Sequence, residues 1–252
     1  MSPPMSPEDY PLLRSQAALL ALALRLVTRD GYRYWLTQTA PADRILTAVE
    51  KIDEQHAVLL SPQARKVRRE ARLPVAHLLL APPTAAPQGG RWPMLLLSDR
   101  RLRGENMRPV EGRRPLTWVA WRKDDWRPTY ELRRDKRGKL TWFLVEDYYE
   151  DLRKKALTHA RAHDWPRLVQ TLKTLGNLPM FTGIYIQATT IKRHVMREWG
   201  NEFRRNPSDQ WRSPPWRKAL EGWPKRPWSP VGIRLYRDEP PRTLGEWVSM
   251  HE

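Results

Sequence analysis

The chain has 252 residues, enough for one large domain or two small ones with a real core. It carries 45 Lys and Arg against 28 Asp and Glu, a net charge of +17, and the self-repulsion this imposes points to a polyanionic partner, nucleic acid first. There is no Cys, which excludes disulfides, thiolate metal sites and a Cys nucleophile and suits a cytoplasmic protein.

The Pro-rich start, residues 1–11, reads as a disordered tail. Leu19 to Val27 allows two readings: Leu20, Leu22, Leu24 and Leu26 alternate as in a strand, while the Ala and Leu content favours a helix. The run is too short to span a bilayer and is interrupted by Arg25, so no membrane partner is expected. Asp30-Gly31 marks a turn before an aromatic strand, Tyr32 to Leu36. Pro41 to Gln55 has a helical stripe of Ile45, Val49 and Ile52. Val58 to Leu60 and Val75 to Leu80 read as buried strands, with the basic stretch Arg65 to Arg72 between them.

Pro82 to Gly90 is linker-like, and Met94 to Leu97 is another strand. Residues 100–139 hold fourteen positive and six negative side chains. Within them Leu116 to Arg122 and Thr129 to Arg134 read as strands. The turn Asp135-Lys136-Arg137-Gly138 leads to Leu140 to Val145, which makes a basic hairpin. Helices follow at Asp147 to His163, Pro166 to Leu175 and Thr182 to Trp199, and a Trp- and Pro-rich segment from Asn206 contains one short strand, Gly232 to Tyr236. The domain reading is therefore a core over 12–145, a helical insertion over 146–205, and a segment 206–252 that returns to the core.

Phosphate-binding P-loops, dinucleotide glycine fingerprints, HExxH and GxSxG are all absent from the sequence. His159-Ala-Arg-Ala-His163 would set two imidazoles on one helix face, readable as two metal ligands, as an acid and base for phosphodiester cleavage, or as a polar helix surface. No third ligand is legible, so no metal and no cofactor are expected. The pairs Asp124-Asp125 and Glu146-Asp147 lack a third carboxylate and read as solvated surface. His77 lies within an apolar strand and reads as a core histidine, and His56 sits at a helix end.

Tyr32-Arg33-Tyr34-Trp35 with Arg25 is the second cluster. RNA can be cut without metal when its 2′-OH attacks the neighbouring phosphate, with Tyr or His moving the proton and Arg stabilising the developing charge. A half-exposed aromatic strand explains the same residues. Trp211, Trp216, Trp223 and Trp228, interleaved with Arg212, Arg217 and Arg226, suit either a base-stacking platform or packing of an irregular segment over the core.

The segments Leu20 to Leu26, Pro41 to Gln55, Val58 to Leu60, Val75 to Leu80 and Gly232 to Tyr236, with a basic helical insertion among them, come in an order that resembles a known family. These are the CRISPR repeat-processing endoribonucleases of the repeat-associated mysterious protein superfamily, and the Arg, Trp and Pro content resembles their plasmid-borne type IV branch. The glycine-rich loop often found near the C-terminus of that family is absent, Gly222, Gly232 and Gly245 being isolated. The resemblance implies a ferredoxin-like fold, a grip on an RNA hairpin, and metal-independent cleavage at its base.

The expectation is thus an α+β protein with a ferredoxin-like core and a basic helical insertion. It would bind hairpin RNA, process CRISPR precursor RNA in antiviral defence, and retain the product, alone or within a ribonucleoprotein complex. Candidate catalytic residues are Arg25, Tyr32, Arg242 and His163. Candidate RNA contacts are Arg33, Arg113, Arg114, Lys136, Arg137, Lys139, Lys192, Arg193 and Arg234. The rivals are a non-enzymatic plasmid DNA-binding protein of replication, partition or transfer, and a basic scaffold subunit; no helix-turn-helix pattern supports the former.

Overall fold

The computed structural model describes residues 5–80, 90–122, 125–205 and 216–250, the side chains of 121, 122 and 203 excepted. The chain divides into two compact units, Met1–Arg134 with Pro230–Glu252, and Asp135–Ser229.

In the first unit, α1 (Gln16–Thr28) resolves the ambiguity of the Leu-rich run in favour of a helix. Alternation alone cannot distinguish the two forms when a segment is enclosed on every side, and Ala18 to Leu24 are all buried. Ser15 caps the helix, its side chain accepting from Ala18 N at 3.2 Å. The strand-like start on which the family resemblance partly rests is therefore helical.

The chain continues through β1 (Tyr34–Pro41), a 3-10 turn (Ala42–Arg44), α2 (Ile45–His56), α3 (Pro62–Glu70), β2 (Ala76–Leu80), β3 (Arg91–Ser98) and the two-residue β4 (Arg108–Pro109). These strands form a sheet in the order β2-β3-β1-β4. Strand β3 lies between β1 and β2, antiparallel to both, and β4 is antiparallel to β1 on its other side. This is a split β-α-β arrangement with the strand order of a ferredoxin-like sheet, and the fold is α+β as expected. Residues 99–107 lead from β3 to β4 without a helix.

Alternation along the strands sends Ala40, Leu78, Leu80, Trp92, Met94 and Leu96 into one core with Ile45 and Val49 of α2. Within the expected tail, residues 1–4 lie outside the described residues, and residues 5–11 do not stay outside this core. Tyr10 is buried and its hydroxyl donates to Leu78 O, Leu12 N donates to Arg242 O at 2.8 Å, and Leu244 N donates to Tyr10 O at 2.9 Å. The end of the chain returns to the same core through α7 (Leu244–Ser249), where Trp247 meets Trp92 edge-to-face at 4.7 Å. Residues 5–11 are held because they pair with this returning segment, a partner too distant in sequence to show in local composition.

Further expectations change or sharpen. Val58 to Leu60 is a turn, entered through Ala57 at φ 51 and fastened by Leu59 N donating to Asp53 Oδ1 at 2.7 Å. Gly232 to Tyr236 makes a single bridge, Leu13 to Tyr236, after a 3-10 turn at Pro230–Gly232. The basic stretch Arg65 to Arg72 is largely α3, capped by Ser61 with Pro62 at its start. Strand β5 (Thr117–Arg122) pairs antiparallel with β6 (Asp125–Arg134), which begins before Thr129: Pro128 pairs with Val119 beside a register shift that leaves Thr129 as the extra residue.

The second unit contains β7 (Leu140–Leu144), α4 (Glu146–Arg161), α5 (Trp165–Gly176) and α6 (Thr182–Arg205). The unit boundary falls before β7, not after it, because α6 grips that strand. Gln187 Oε1 accepts from Leu144 N at 2.8 Å, and its Nε2 donates to Leu144 O at 3.1 Å. No described helix is long and apolar enough to cross a membrane.

Candidate nucleic-acid interface

At the end of the four-stranded sheet where Tyr34, Ala76 and Ser98 lie side by side, three connections meet. They are residues 29–33, 71–75 and 99–107, and each carries arginine. Arg29, Arg33, Arg72, Arg100, Arg101, Arg103 and Arg108 are all exposed. Two of the acidic groups nearby are already engaged, while Asp30 is exposed. Asp99 accepts from Val75 N at 2.9 Å and pairs with Arg69 at 3.8 Å, and Glu105 is bonded to His56 Nε2 at 2.9 Å.

Local sequence explains why this end presents guanidiniums. In residues 101–107 the apolar Leu102 and Met107 are buried in the α2 core, which turns Arg101 and Arg103 outward, and Gly104 at φ 84 makes the reversal. Arg33 is fixed by its backbone, its N donating to Ser98 O at 2.9 Å and its O accepting from Val110 N at 2.8 Å. Arg101 lies over the Tyr34 ring and Arg108 over Trp35, each at 5.7 Å, and Arg69 over Tyr32 at 5.1 Å. Arg100 Nη1 donates to Arg72 O at 2.9 Å. These contacts limit how much side-chain freedom an incoming phosphate must remove.

Of the four candidate catalytic residues, Tyr32 is 2% exposed, so its hydroxyl is enclosed rather than presented to a substrate. Burial raises its pKa, partly offset by Arg65 and Arg69. Its ring meets His77 edge-on at 6.2 Å. His77 is half-buried rather than a satisfied core histidine: its pKa is pushed down to about 3 by burial and further by Arg65 and Arg69, and its Nδ1 has no hydrogen-bond partner among the described residues.

Arg25 lies in the last turn of α1. Arg242 pairs with Leu12, ahead of the other end of that helix; from Gln16 to Arg25 the helix rises roughly 14 Å. The two arginines therefore sit toward opposite ends of α1. His163 belongs to the second unit. It lies beyond the end of α4 at φ 54 and stacks on Trp165, with centroids 5.3 Å apart. The regular i,i+4 pairing of His159 with His163 is therefore broken, and Arg161 between them is bound to Glu198 at 2.8 Å.

Among the candidate RNA contacts, Arg33 joins the arginine-rich end. Arg113 and Arg114 are exposed between β4 and β5. Lys136, Arg137 and Lys139 are exposed on a tight turn whose Asp135 Oδ1 accepts from Arg137 N and Lys139 N, both at 2.9 Å. Lys192 is half-buried over the Trp223 ring at 5.1 Å, its pKa lowered by burial, while Arg193 beside it on α6 is exposed. Arg234 is paired with Asp238, which also approaches Arg14.

Trp216 and Trp223 are buried, Trp228 is exposed, and Trp211 and Arg212 lie outside the described residues, as does Asp124. No group of three His, Asp or Glu able to hold a metal ion occurs among the described residues. Sequence reasoning missed Arg29, Arg72, Arg100, Arg101, Arg103 and Arg108 as one surface; the signal available was the R-L-R-G pattern at 101–104, whose single Leu fixes which neighbours face out. No family model, curated protein or solved structure matches this chain.

Proposed function

We propose that the protein binds structured RNA, with the arginine-rich end of the four-stranded sheet as its phosphate-contacting surface. The observation that carries this reading is the meeting of three arginine-bearing connections at one end of the sheet, where Asp99 and Glu105 are already occupied by other partners. A surface of this kind gains affinity by releasing counterions, and guanidiniums give paired hydrogen bonds to phosphate oxygens.

The test is binding of a labelled RNA hairpin across a salt series, with Arg100, Arg101 and Arg103 all replaced by Gln. Leu102 stays in place, so the loop keeps its anchor. If each arginine meets one phosphate, the log–log salt slope becomes shallower by about 2, three contacts at about 0.7 each for single-stranded regions. An unchanged slope and affinity would exclude this surface.

A second reading adds cleavage of the bound RNA, as in the CRISPR repeat-processing endoribonucleases. It is favoured by the ferredoxin-like strand order of the sheet. Under this reading hairpin RNA is cut in the presence of EDTA, and one 2′-deoxy substitution at the cut site stops cleavage while binding persists. Tight binding of duplex DNA without RNA cleavage would favour the plasmid DNA-binding alternative.

A further inference from the structure

Helix α6 carries a second concentration of positive charge, in the unit that does not contain the arginine-rich end. Arg193 and Arg197 are four residues apart, so they share one helix face with a rise of about 6 Å between them. Both are exposed, and neither side chain has an ion pair or hydrogen bond among the described residues. Helix α4, packed against α6, supplies two further arginines that are held differently. Arg153 Nε donates to Glu150 Oε2 at 2.9 Å, with Nη2 equally close, and Arg161 Nη2 donates to Glu198 Oε1 at 2.8 Å. The carboxylates attached to this group, Glu150 and Glu198, therefore each hold an arginine. The charge of Arg193 and Arg197 is left without such a partner.

His194 lies beside Arg193 and one turn from Arg197, and is close enough to Arg153 of α4 to feel its charge. Burial first, then the charges of Arg197, Arg153 and Arg193, lower its pKa, and Glu198 acts the other way. The ring is thus neutral at neutral pH. It is half-buried, and its Nδ1 is enclosed with no hydrogen-bond partner among the described residues, so it meets a ligand through Nε2. A neutral ring with its hydrogen on Nε2 donates it to an oxyanion. Thr190 precedes Arg193 by three residues and Gly200 follows Arg197 by three, and a Cβ added to Gly200 would meet nothing within 4 Å. Small side chains at both ends let an extended backbone approach the helix.

We infer that Arg193, His194 and Arg197 form a phosphate-binding face of α6 that takes the backbone of a bound RNA strand and holds it more tightly in acid. All three groups act as hydrogen-bond donors there, two of them forked guanidiniums that pair with phosphate oxygens, and their spacing suits neighbouring phosphates of one strand. A phosphate at Nε2 offsets the repulsion that the arginines exert on an imidazolium, so binding favours uptake of a proton by His194. The exposed Ile186 and Met196 of the same helix would offer an acidic protein an apolar foothold, and the test includes that rival. The inference rests on the RNA-binding reading and adds a second, proton-linked contact to it.

The test uses the full chain with inorganic phosphate, a labelled RNA hairpin and poly-glutamate as probes. The His194 ring is followed by NMR through a pH titration. Phosphate should raise its midpoint, and chloride at the same ionic strength should not. Hairpin binding should tighten as pH falls from about 8 to about 5.5, by up to about tenfold for each unit that the midpoint rises. His194→Gln should remove this part of the pH dependence and weaken binding most at the acid end. Replacing Arg193 and Arg197 together by Gln should abolish the effect of phosphate on His194 and make the log–log salt slope shallower by about 1.4, two contacts at about 0.7 each. Circular dichroism checks the fold of each variant.

A His194 midpoint that neither phosphate nor the hairpin moves would overturn the proposal, as would an unchanged salt slope in the double arginine variant. Poly-glutamate bound as tightly as the hairpin would assign the face to an acidic protein instead. If the double variant keeps the wild-type slope while replacement of Arg100, Arg101 and Arg103 reduces it, the α6 face falls and the RNA reading stands. If phosphate moves His194 but no hairpin binds, the face takes a free phosphate, and the RNA contact and the RNA reading fall together.

Discussion

Helix α6 contains two glycines for which the same substitution should have opposite effects. A Cβ on Gly183 would lie 2.5 Å from Trp142 O and 2.7 and 2.8 Å from carbons of the Phe143 ring. Relief to ordinary contact requires α6 and β7 to separate by roughly 0.9 Å, and such overpacking costs about 1–3 kcal/mol. The separation also strains the two hydrogen bonds between Gln187 and Leu144, one turn further along the same helix face. Each of these is worth about 1 kcal/mol to stability. Against this stands the usual gain of about 1 kcal/mol when Ala replaces Gly within a helix. Gly183→Ala is therefore expected to destabilise the second unit by about 2 kcal/mol, a fall in its melting temperature of about 10 °C. Gly200 has no heavy atom within 4 Å of an added Cβ, so Gly200→Ala should show the helix gain alone, about 0.5–1 kcal/mol. Thermal melts of both variants by circular dichroism make the comparison within one helix. A Gly183→Ala protein that melts at or above the wild-type temperature would refute the close α6–β7 packing.

Burial of neutral His77 predicts a specific acid sensitivity. Its folded pKa of about 3 lies below the ordinary 6.5, so the unfolded chain takes up the proton first. The stability linked to this group is complete above pH 6.5 and is lost as pH falls toward 3, on the order of 5 kcal/mol in all. His77→Phe should flatten that part of the curve of urea midpoint against pH, and parallel curves for the two proteins would contradict the buried neutral imidazole. At the exposed turn, replacing Lys136, Arg137 and Lys139 with Ala should change stability by less than about 0.5 kcal/mol. If these residues contact RNA, the same variant binds the hairpin more weakly. Unchanged affinity with a sharp fall in melting temperature would make the turn structural.

Local sequence decided the elements whose periodicity and punctuation agree. Helix α2 has its stripe of Ile45, Val49 and Ile52, α5 has Pro166 at its start and Gly176 at its end, and β7 follows a turn that Asp135 and Gly138 require. The charge excess likewise depends on composition alone. Local pattern was insufficient where a distant partner chooses between two allowed forms. Leu20 to Leu26 is compatible with strand or helix until it is packed into the core, and α3 carries no apolar stripe to mark it in the sequence, with Arg65 donating to Val58 O in the structure. Residues 5–11 are ordered only because residues 242–245 return to pair with them. The candidate site divides in the same way. That arginines were abundant was legible in the sequence, as was the outward alternation around Leu102. That Arg33, Arg72 and Arg100 converge was not, since β1, β2 and β3 bring them to one end of the sheet from positions tens of residues apart. Tyr32 and His163 show the converse: their chemistry was legible, but only packing encloses one among Arg69 and His77 and stacks the other on Trp165. A side chain's chemistry is set by its own atoms, whereas its exposure and its neighbours are set by contacts that local sequence does not encode.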